Sequence, residues 1–372
     1  MPHQRTFGLD LLRAVAIALV MYEHGYFFFD QLVDEELWRA PMLVDGVTLF
    51  FTLSGFLIGR ILFDLIERGK LSTIGNLLLF WRRRWWRTVP NYLLVLSIVL
   101  FWHWSNGARI PDHWWSYYLF SQNLFQPQDK FFAEAWSLGV EEWFYVLLPI
   151  AFLICLRMRR DARTTAMWPV LLFFLAIPAI LRAWKLHHGI DVPHIDAHAR
   201  RMVCMRLDNI IIGATAAWLA YVRPAWWRSN RRWLAVAGVA LLIAFKLQLV
   251  VRGDSTARAM LFEHNLEAIG CALLLPLLSG WNPVKPRWLV APVQQLARLS
   301  YAMYLLNLTI VLFSVMPLLS APFSGAVQES WRMSFLPLAV HWILTVALAF
   351  LLYHGFEKHM TAMRERKGLG SA

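Results

Sequence analysis

The sequence predicts an all-α integral membrane protein, a bundle of about ten transmembrane helices with both termini cytoplasmic. Composition is the first reason. Apolar types make up 58% of the 372 residues and charged types only 16%, against about 25% charge in a soluble domain. Mean hydropathy is +0.47, which also excludes a disordered chain, since disorder needs low hydrophobicity. The second reason is a series of apolar segments near the ~20 residues that a membrane helix needs. The third is the placement of the basic residues between them.

The ten segments are 8–29, 42–64, 88–104, 135–156, 166–184, 205–222, 233–250, 264–280, 299–318 and 335–356. The first has an apolar run, Ala14 to Tyr22, as long as the core of a secretory signal. Glu23 and His24 interrupt it, Phe27 to Phe29 follow, and no small-residue cleavage pattern appears, so it reads as a retained helix. The stretch 112–125, with Trp114, Trp115, Tyr117, Tyr118 and Phe120, is too short and polar to span and reads as interfacial or re-entrant. No loop is long enough for a separate soluble domain. Residues 1–372 are therefore expected to form a single membrane-embedded domain with its core at about 8–357. Cys155, Cys204 and Cys271 are far apart, have no metal-ligand spacing, and read as inert buried thiols.

The charge is lopsided, with 36 Lys and Arg against 24 Asp and Glu, a net +12. Such a balance invites a nucleic-acid reading. The groups Arg5–Arg13, Arg60–Arg87, Arg157–Arg163, Arg223–Arg232, Lys285–Arg298 and Lys358–Lys367 hold 24 of the 36 cations. All fall on one side of an alternating topology, as the positive-inside rule requires. The cations are divided among separate patches, so no nucleic-acid partner is expected; the partner is membrane lipid.

Several ionisable residues lie within or beside the apolar segments, where they usually face a cavity. Arg13 and His24 are eleven positions apart, about three turns and ~16 Å, and share one helix face. Asp45 stands near the depth of His24 and either orients it or caps its own helix. Ser54-Gly55 is a small spot among bulky neighbours, suited to close helix approach or to the passage of a slender ligand. The run Trp81-Arg82-Arg83-Arg84-Trp85-Trp86-Arg87 fits either an anionic-lipid anchor or a phosphate site. Trp136, Glu141, Glu142 and Tyr145 open the fourth segment. Glu141 and Tyr145 share a face, and paired Glu with aromatic neighbours can bind sugar hydroxyls. Arg206 and Asp208 open the sixth segment, where they can neutralise each other, and Glu357 lies among basic residues near the end.

Taken together, these residues resemble acyltransferase family 3, bacterial integral-membrane enzymes that include surface-polysaccharide O-acetyltransferases. The likeness runs from Gly8 to about Arg364. It is carried by Gly8–Ala14 with His24, Gly46–Ile58, Arg82–Pro90 as a basic loop, Trp136-Ser137-Leu138 with Glu141 and Tyr145, Arg206-Leu207-Asp208 with Gly213, Ser300–Leu305, and Glu357. Departures are Thr48 where the family often has the Asp that supports its His, Asn307 where it often has His, Trp143 for Gln, and Lys358-His359 for Arg-Pro. Asp45 is then the candidate His partner.

The resemblance implies transfer of an acyl group, most often acetyl, from cytoplasmic acyl-CoA to a hydroxyl of a cell-surface carbohydrate or glycoconjugate, in the bacterial cytoplasmic membrane and without a metal. His24, Asp45 and Glu141 are the expected catalytic residues, His24 acting as general base or acyl carrier. Arg13, Ser54, Gly55, Arg82, Arg83, Arg84, Arg87 and Glu357 are expected to hold acyl-CoA. Trp136, Glu142, Tyr145, Arg206 and Asp208 are expected to hold the acceptor. The rival classes are a transporter or flippase of an envelope precursor, an enzyme acylating a small glycoside such as a macrolide, and a purely structural envelope partner.

Overall fold

The computed structural model describes residues 6–158, 164–188, 200–252, 262–282, 287–320 and 331–364. Arg5, Arg163, Lys285 and Lys367 of the charge reading lie outside them. No strand occurs among the described residues. Each of the ten apolar segments is a helix: α1 Phe7–Gly25, α2 Gly46–Glu67, α3 Ile74–Ser105, α4 Ala135–Met158, α5 Trp168–His187, α6 Val203–Val222, α7 Arg231–Arg252, α8 His264–Leu278, α9 Arg287–Leu306 and α10 Trp331–Leu352. A π-helical stretch, Asn307–Val315, prolongs α9, and another, Tyr353–Glu357, leads from α10 into Lys358–Arg364.

Among the described residues, seven helices are long and apolar enough to cross a membrane. Of the ten segments, α3, α7 and α8 fall outside that set. Asn91, His103 and several Trp dilute the apolar half of α3, α7 carries Arg231, Arg232 and Lys246, and α8 has only 15 residues. The chain is a multi-pass membrane protein.

Two boundaries differ from expectation. The basic run Arg82–Pro90 is not a loop. It continues α3, which begins fourteen residues before the apolar segment, at a cap where Thr73 Oγ1 accepts from Asn76 N at 3.3 Å. Nothing between Ile74 and Trp86 breaks a helix, and Pro90 is tolerated inside it. The stretch 112–125 holds only the short helix Trp115–Tyr118 and turns, as its length requires. There Phe120 adopts φ +54°, held by stacking on Tyr92 at 4.4 Å and by Trp143 Nε1 donating to its carbonyl at 3.0 Å.

The core lies where α2, α4 and α6 meet α1 and α9. The α2–α6 crossing is set by two glycines. A Cβ on Gly55 would fall 1.8 Å from the Ile210 carbonyl oxygen, and one on Gly213 would fall 1.9 Å from that of Thr52. Both are far inside contact distance, so the backbones touch here and no larger residue fits. Among the described residues the three cysteines are free, Cys271 buried and the other two partly so.

Candidate active site

The antiparallel helices bring the first turns of α1, the middle of α3 and the far end of α10 to one end of the bundle, with the last turns of α2. This is the basic end. A cavity of about 690 Å³ starts there and runs inward between α1, α2, α3, α4, α9 and the end of α10. Its α2 wall extends from Ile61 to Val47, roughly 20 Å of helix. The wall changes character with depth.

At the basic end stand Arg13, Arg87, Arg298, Lys358 and Glu357. Among the described residues the wall carries over its whole length six cations, these four with Arg60 and Arg84, against three carboxylates, Asp10, Glu141 and Glu357. Arg13 pairs with buried Asp10 at 3.2 Å, and Glu357 accepts from Asn91 Nδ2 at 2.8 Å. The middle holds a polar knot. Arg84 donates to Tyr145 Oη at 2.7 Å and lies over the same ring at 4.1 Å. Tyr145 in turn donates to Glu141 at 3.1 Å and pairs with Ser54 Oγ. The deep end is lined by Val47, Phe50, Phe51, Leu53 and Leu138, with the hydroxyls of Ser137 and Tyr304.

Next to that deep end, one turn along α9 from Tyr304, Asn307 holds His24. The amide of Asn307 donates both its protons, to Met303 O at 3.0 Å and Tyr304 O at 2.8 Å. Its Oδ1 is therefore the acceptor in the pair with His24 Nδ1. This assigns the tautomer: Nδ1 carries the proton and Nε2 carries the free lone pair. The Asn307 carbonyl accepts from Nε2 of His341, which is fully buried. The π-helical turn starting at Asn307 makes that carbonyl available, because its i→i+4 ladder is interrupted there.

The sequence-predicted residues divide accordingly. Arg13, Ser54, Arg84, Arg87, Glu141 and Glu357 line the cavity. Tyr145, expected to hold the acceptor, is bonded to Ser54, Glu141 and Arg84 of the wall. Arg82 is exposed and off the wall, and Arg83 is also off it, because successive residues of a helix point in different directions. Gly55 faces α6 instead of the cavity. Arg13 and His24 do not line one tunnel: Arg13 is on the wall, and His24 stands half-buried beyond its deep end.

Asp45, expected to be catalytic, and the expected acceptor residues Trp136, Glu142, Arg206 and Asp208 turn inward. Asp45 does not orient His24. It caps α2, accepting from Val47 N at 3.0 Å and Thr48 Oγ1 at 3.0 Å, and lies 3.2 Å from Arg200 and 3.6 Å from Arg206. Arg206 and Asp208, both 0% exposed, do not neutralise each other. Arg206 donates to Thr48 Oγ1 at 3.0 Å, while Asp208 pairs with Arg182 of α5. Glu142 is buried away from the cavity, accepting from Thr88 Oγ1 at 2.9 Å. Trp136 is buried edge-on to Phe51 at 5.9 Å.

Sequence reasoning missed Asn307 as the His24 partner, and with it His341, Arg60, Arg298, Lys358, Ser137 and Tyr304. The departure at Asn307 was a signal. The fact that it stands where the family often has His places it at the site, and an amide can hold a His ring as a carboxylate can. Nothing distinguishes His341 from any polar residue in an apolar helix.

The comparisons with known proteins agree with this architecture. A family model described as an acyltransferase domain matches residues 6–354. The putative peptidoglycan O-acetyltransferase YrhL of Bacillus subtilis is 27% identical over 96% of this chain and 55% of its own. Peptidoglycan O-acetyltransferase OatA of Listeria monocytogenes is 29% identical over 40% of this chain and 24% of its own. O-acetyltransferase OatA of Staphylococcus aureus is 28% identical over 38% and 24%. The matches thus span from about a quarter to about half the length of these relatives. No solved structure matches. With the family match running over nearly all of a membrane bundle whose deep cavity ends beside a tautomer-fixed histidine, the chain belongs to this acyltransferase family.

Proposed function

We propose that the chain transfers an acyl group, acetyl in the first instance, from cytoplasmic acyl-CoA to a hydroxyl of a cell-wall carbohydrate. The carrying observation is the zoned cavity: cations in excess at one end, a polar knot in the middle, an apolar end beside His24. Acyl-CoA has the matching order of parts. Its phosphates meet Arg13, Arg87 and Arg298, whose guanidinium forks suit phosphate oxygens, and the ammonium of Lys358. Its slender arm, which carries amide groups, passes Ser54, Glu141 and Arg84. Its thioester reaches the deep end near Phe50 and Tyr304. The names of the relatives support O-acetylation of a cell-wall glycan as the reaction.

His24 Nε2 acts as general base. It takes the proton of the acceptor hydroxyl as that oxygen adds to the thioester carbon, and the thiolate that leaves is protonated in turn. Asn307 keeps Nδ1 protonated throughout, so the lone pair stays at Nε2. In this reading the basic end is cytoplasmic, both termini lie on that side, the ten helices form one membrane domain in the cytoplasmic membrane, and no metal takes part.

The test is His24→Ala in the full chain. Acetyl transfer from acetyl-CoA is expected to fall by at least 10²–10⁴-fold, the range of general-base catalysis, with folding and CoA binding retained. Thiol release at the unchanged rate in this variant sinks the assignment. Movement of a glycan precursor with no thiol release by the wild type favours the transporter class.

A further inference from the structure

The cavity wall carries several hydroxyls, and four of them already have a firm partner. Thr88 Oγ1 donates to Glu142 at 2.9 Å, Ser300 Oγ to Ala297 O at 3.0 Å, and Tyr301 Oη to Thr88 O at 2.8 Å, while Ser54 is paired with Tyr145. Tyr353 and Thr361 stand with Glu357 and Lys358 at the basic end, and Thr6 precedes α1 there. The deep end differs. Ser137 Oγ and Tyr304 Oη lie 2.6 Å apart, and the further acceptor of either is the Glu134 carbonyl, at 3.4 and 3.3 Å respectively.

Two hydroxyls carry two protons. One fills the short bond between them, in which only one partner donates. The other has only a carbonyl at the long limit of hydrogen bonding. It is a loosely held donor in a pocket end otherwise walled by Val47, Phe50, Phe51, Leu53 and Leu138. Both residues are buried, and Phe50 packs edge-on to the Tyr304 ring at 6.2 Å, which fixes its direction. The partner hydroxyl polarises the donor, since bonds in a chain strengthen one another in a low-dielectric site.

We propose that the Ser137–Tyr304 hydroxyl pair is the donor to the acyl carbonyl oxygen, which it holds as negative charge develops there. The inference rests on the donor reading above. When the acceptor oxygen adds to the thioester carbon, the carbonyl π pair moves onto the carbonyl oxygen. The loose proton turns from the Glu134 carbonyl to that oxygen as a hydrogen bond, without being transferred. Collapse returns the pair to the carbonyl, breaks the carbon–sulfur bond and releases the thiolate, which takes the proton carried by His24. The hydroxyl pair is unchanged at the end. A donor that strengthens only as charge develops acts on kcat and not on binding.

The test uses inside-out membrane vesicles from a strain lacking the chain, with full-length wild type, Tyr304→Phe, Ser137→Ala or the double variant returned, so that the native acceptor is present. Thiol release and transfer of label are followed from radiolabelled acetyl-CoA. CoA, which has no acyl carbonyl, is titrated separately against the purified proteins. Each single variant is expected to lower kcat at least tenfold. The double variant should lower it by about 10²–10³-fold, the cost of an oxyanion donor, with the Kd for CoA and the KM for acetyl-CoA within twofold. The single variants are smaller than the double because the surviving hydroxyl inherits the free direction. If the double variant keeps more than a third of wild-type kcat while His24→Ala is dead, this proposal is wrong and the donor reading stands. If the loss appears as weakened CoA binding, the pair is only structural and the proposal is likewise overturned. If wild-type vesicles release no thiol, the donor reading fails and takes this proposal with it.

Discussion

The two ends of the bundle use the same residue types in opposite ways. The cavity that opens at the basic end has six cations against three carboxylates among the described residues of its wall. At the other end Arg39, Arg200 and Arg206 face Glu23, Glu35 and Asp45, with Arg39 2.8 Å from both glutamates and Arg200 between Glu23 and Asp45 at 3.7 and 3.2 Å. The first is an unbalanced field into which an anion is drawn. The second is closed, charge against charge. An arginine in a membrane protein therefore says nothing about ligands until its counter-charge is known, and a sequence shows the counter-charge only when it is local.

Three experiments sharpen that contrast. The largest effect is expected where a buried pair is broken. Asp208→Ala removes the carboxylate that pairs with Arg182, 4% exposed, and breaking a buried pair costs about 3–5 kcal/mol. Thermal unfolding of the purified variant should show a large loss of stability. Activity lost at unchanged stability would instead favour an acceptor-binding role for Asp208.

A smaller effect comes from Glu134, just ahead of α4. It is 1% exposed, accepts from Thr309 Oγ1 and N, and burial pushes its carboxyl up to about 7. Folding therefore takes up a proton. The stabilising contribution is complete below the ordinary carboxylate range and is lost as pH rises from about 4.5 to 7, by about 3 kcal/mol at most. Chemical unfolding across that window should show the fall, and Glu134→Gln should flatten it. A curve as steep in the variant would locate the titration elsewhere.

The smallest effects test the wall itself. Arg13→Ala and Arg87→Ala should each raise KM for acyl-CoA on the order of tenfold, the worth of one charge-assisted contact, and less at high salt. Arg82→Ala, off the wall in the same basic run, should stay within twofold. Equal effects at Arg82 and Arg87 would mean that the run acts as a diffuse lipid anchor.

How much of this could be read from residues alone follows one rule. Features fixed by neighbours in sequence were legible, and features fixed by contacts between distant helices were not. The ten helices followed from apolar length, and Arg13, Ser54, Arg84, Arg87, Glu141 and Glu357 from motifs that sit on single helices. The failures are long-range. Asp208 finds Arg182 on another helix, and Arg206 finds Thr48 on another. His24 finds Asn307, 283 residues away. Gly55 had two readings, and only the approach of Ile210 decided between them.

That glycine contact reaches further than packing. Gly55 faces α6, while Ser54, Phe50 and Phe51 of the same helix wall the cavity. Because α2 already rests backbone-on-backbone against α6, it cannot retreat, and the floor made by Phe50 and Phe51 cannot recede with it. Under the donor reading proposed above, a floor that cannot recede limits the length of the acyl group, so longer acyl-CoA thioesters are expected to be poorer donors than acetyl-CoA.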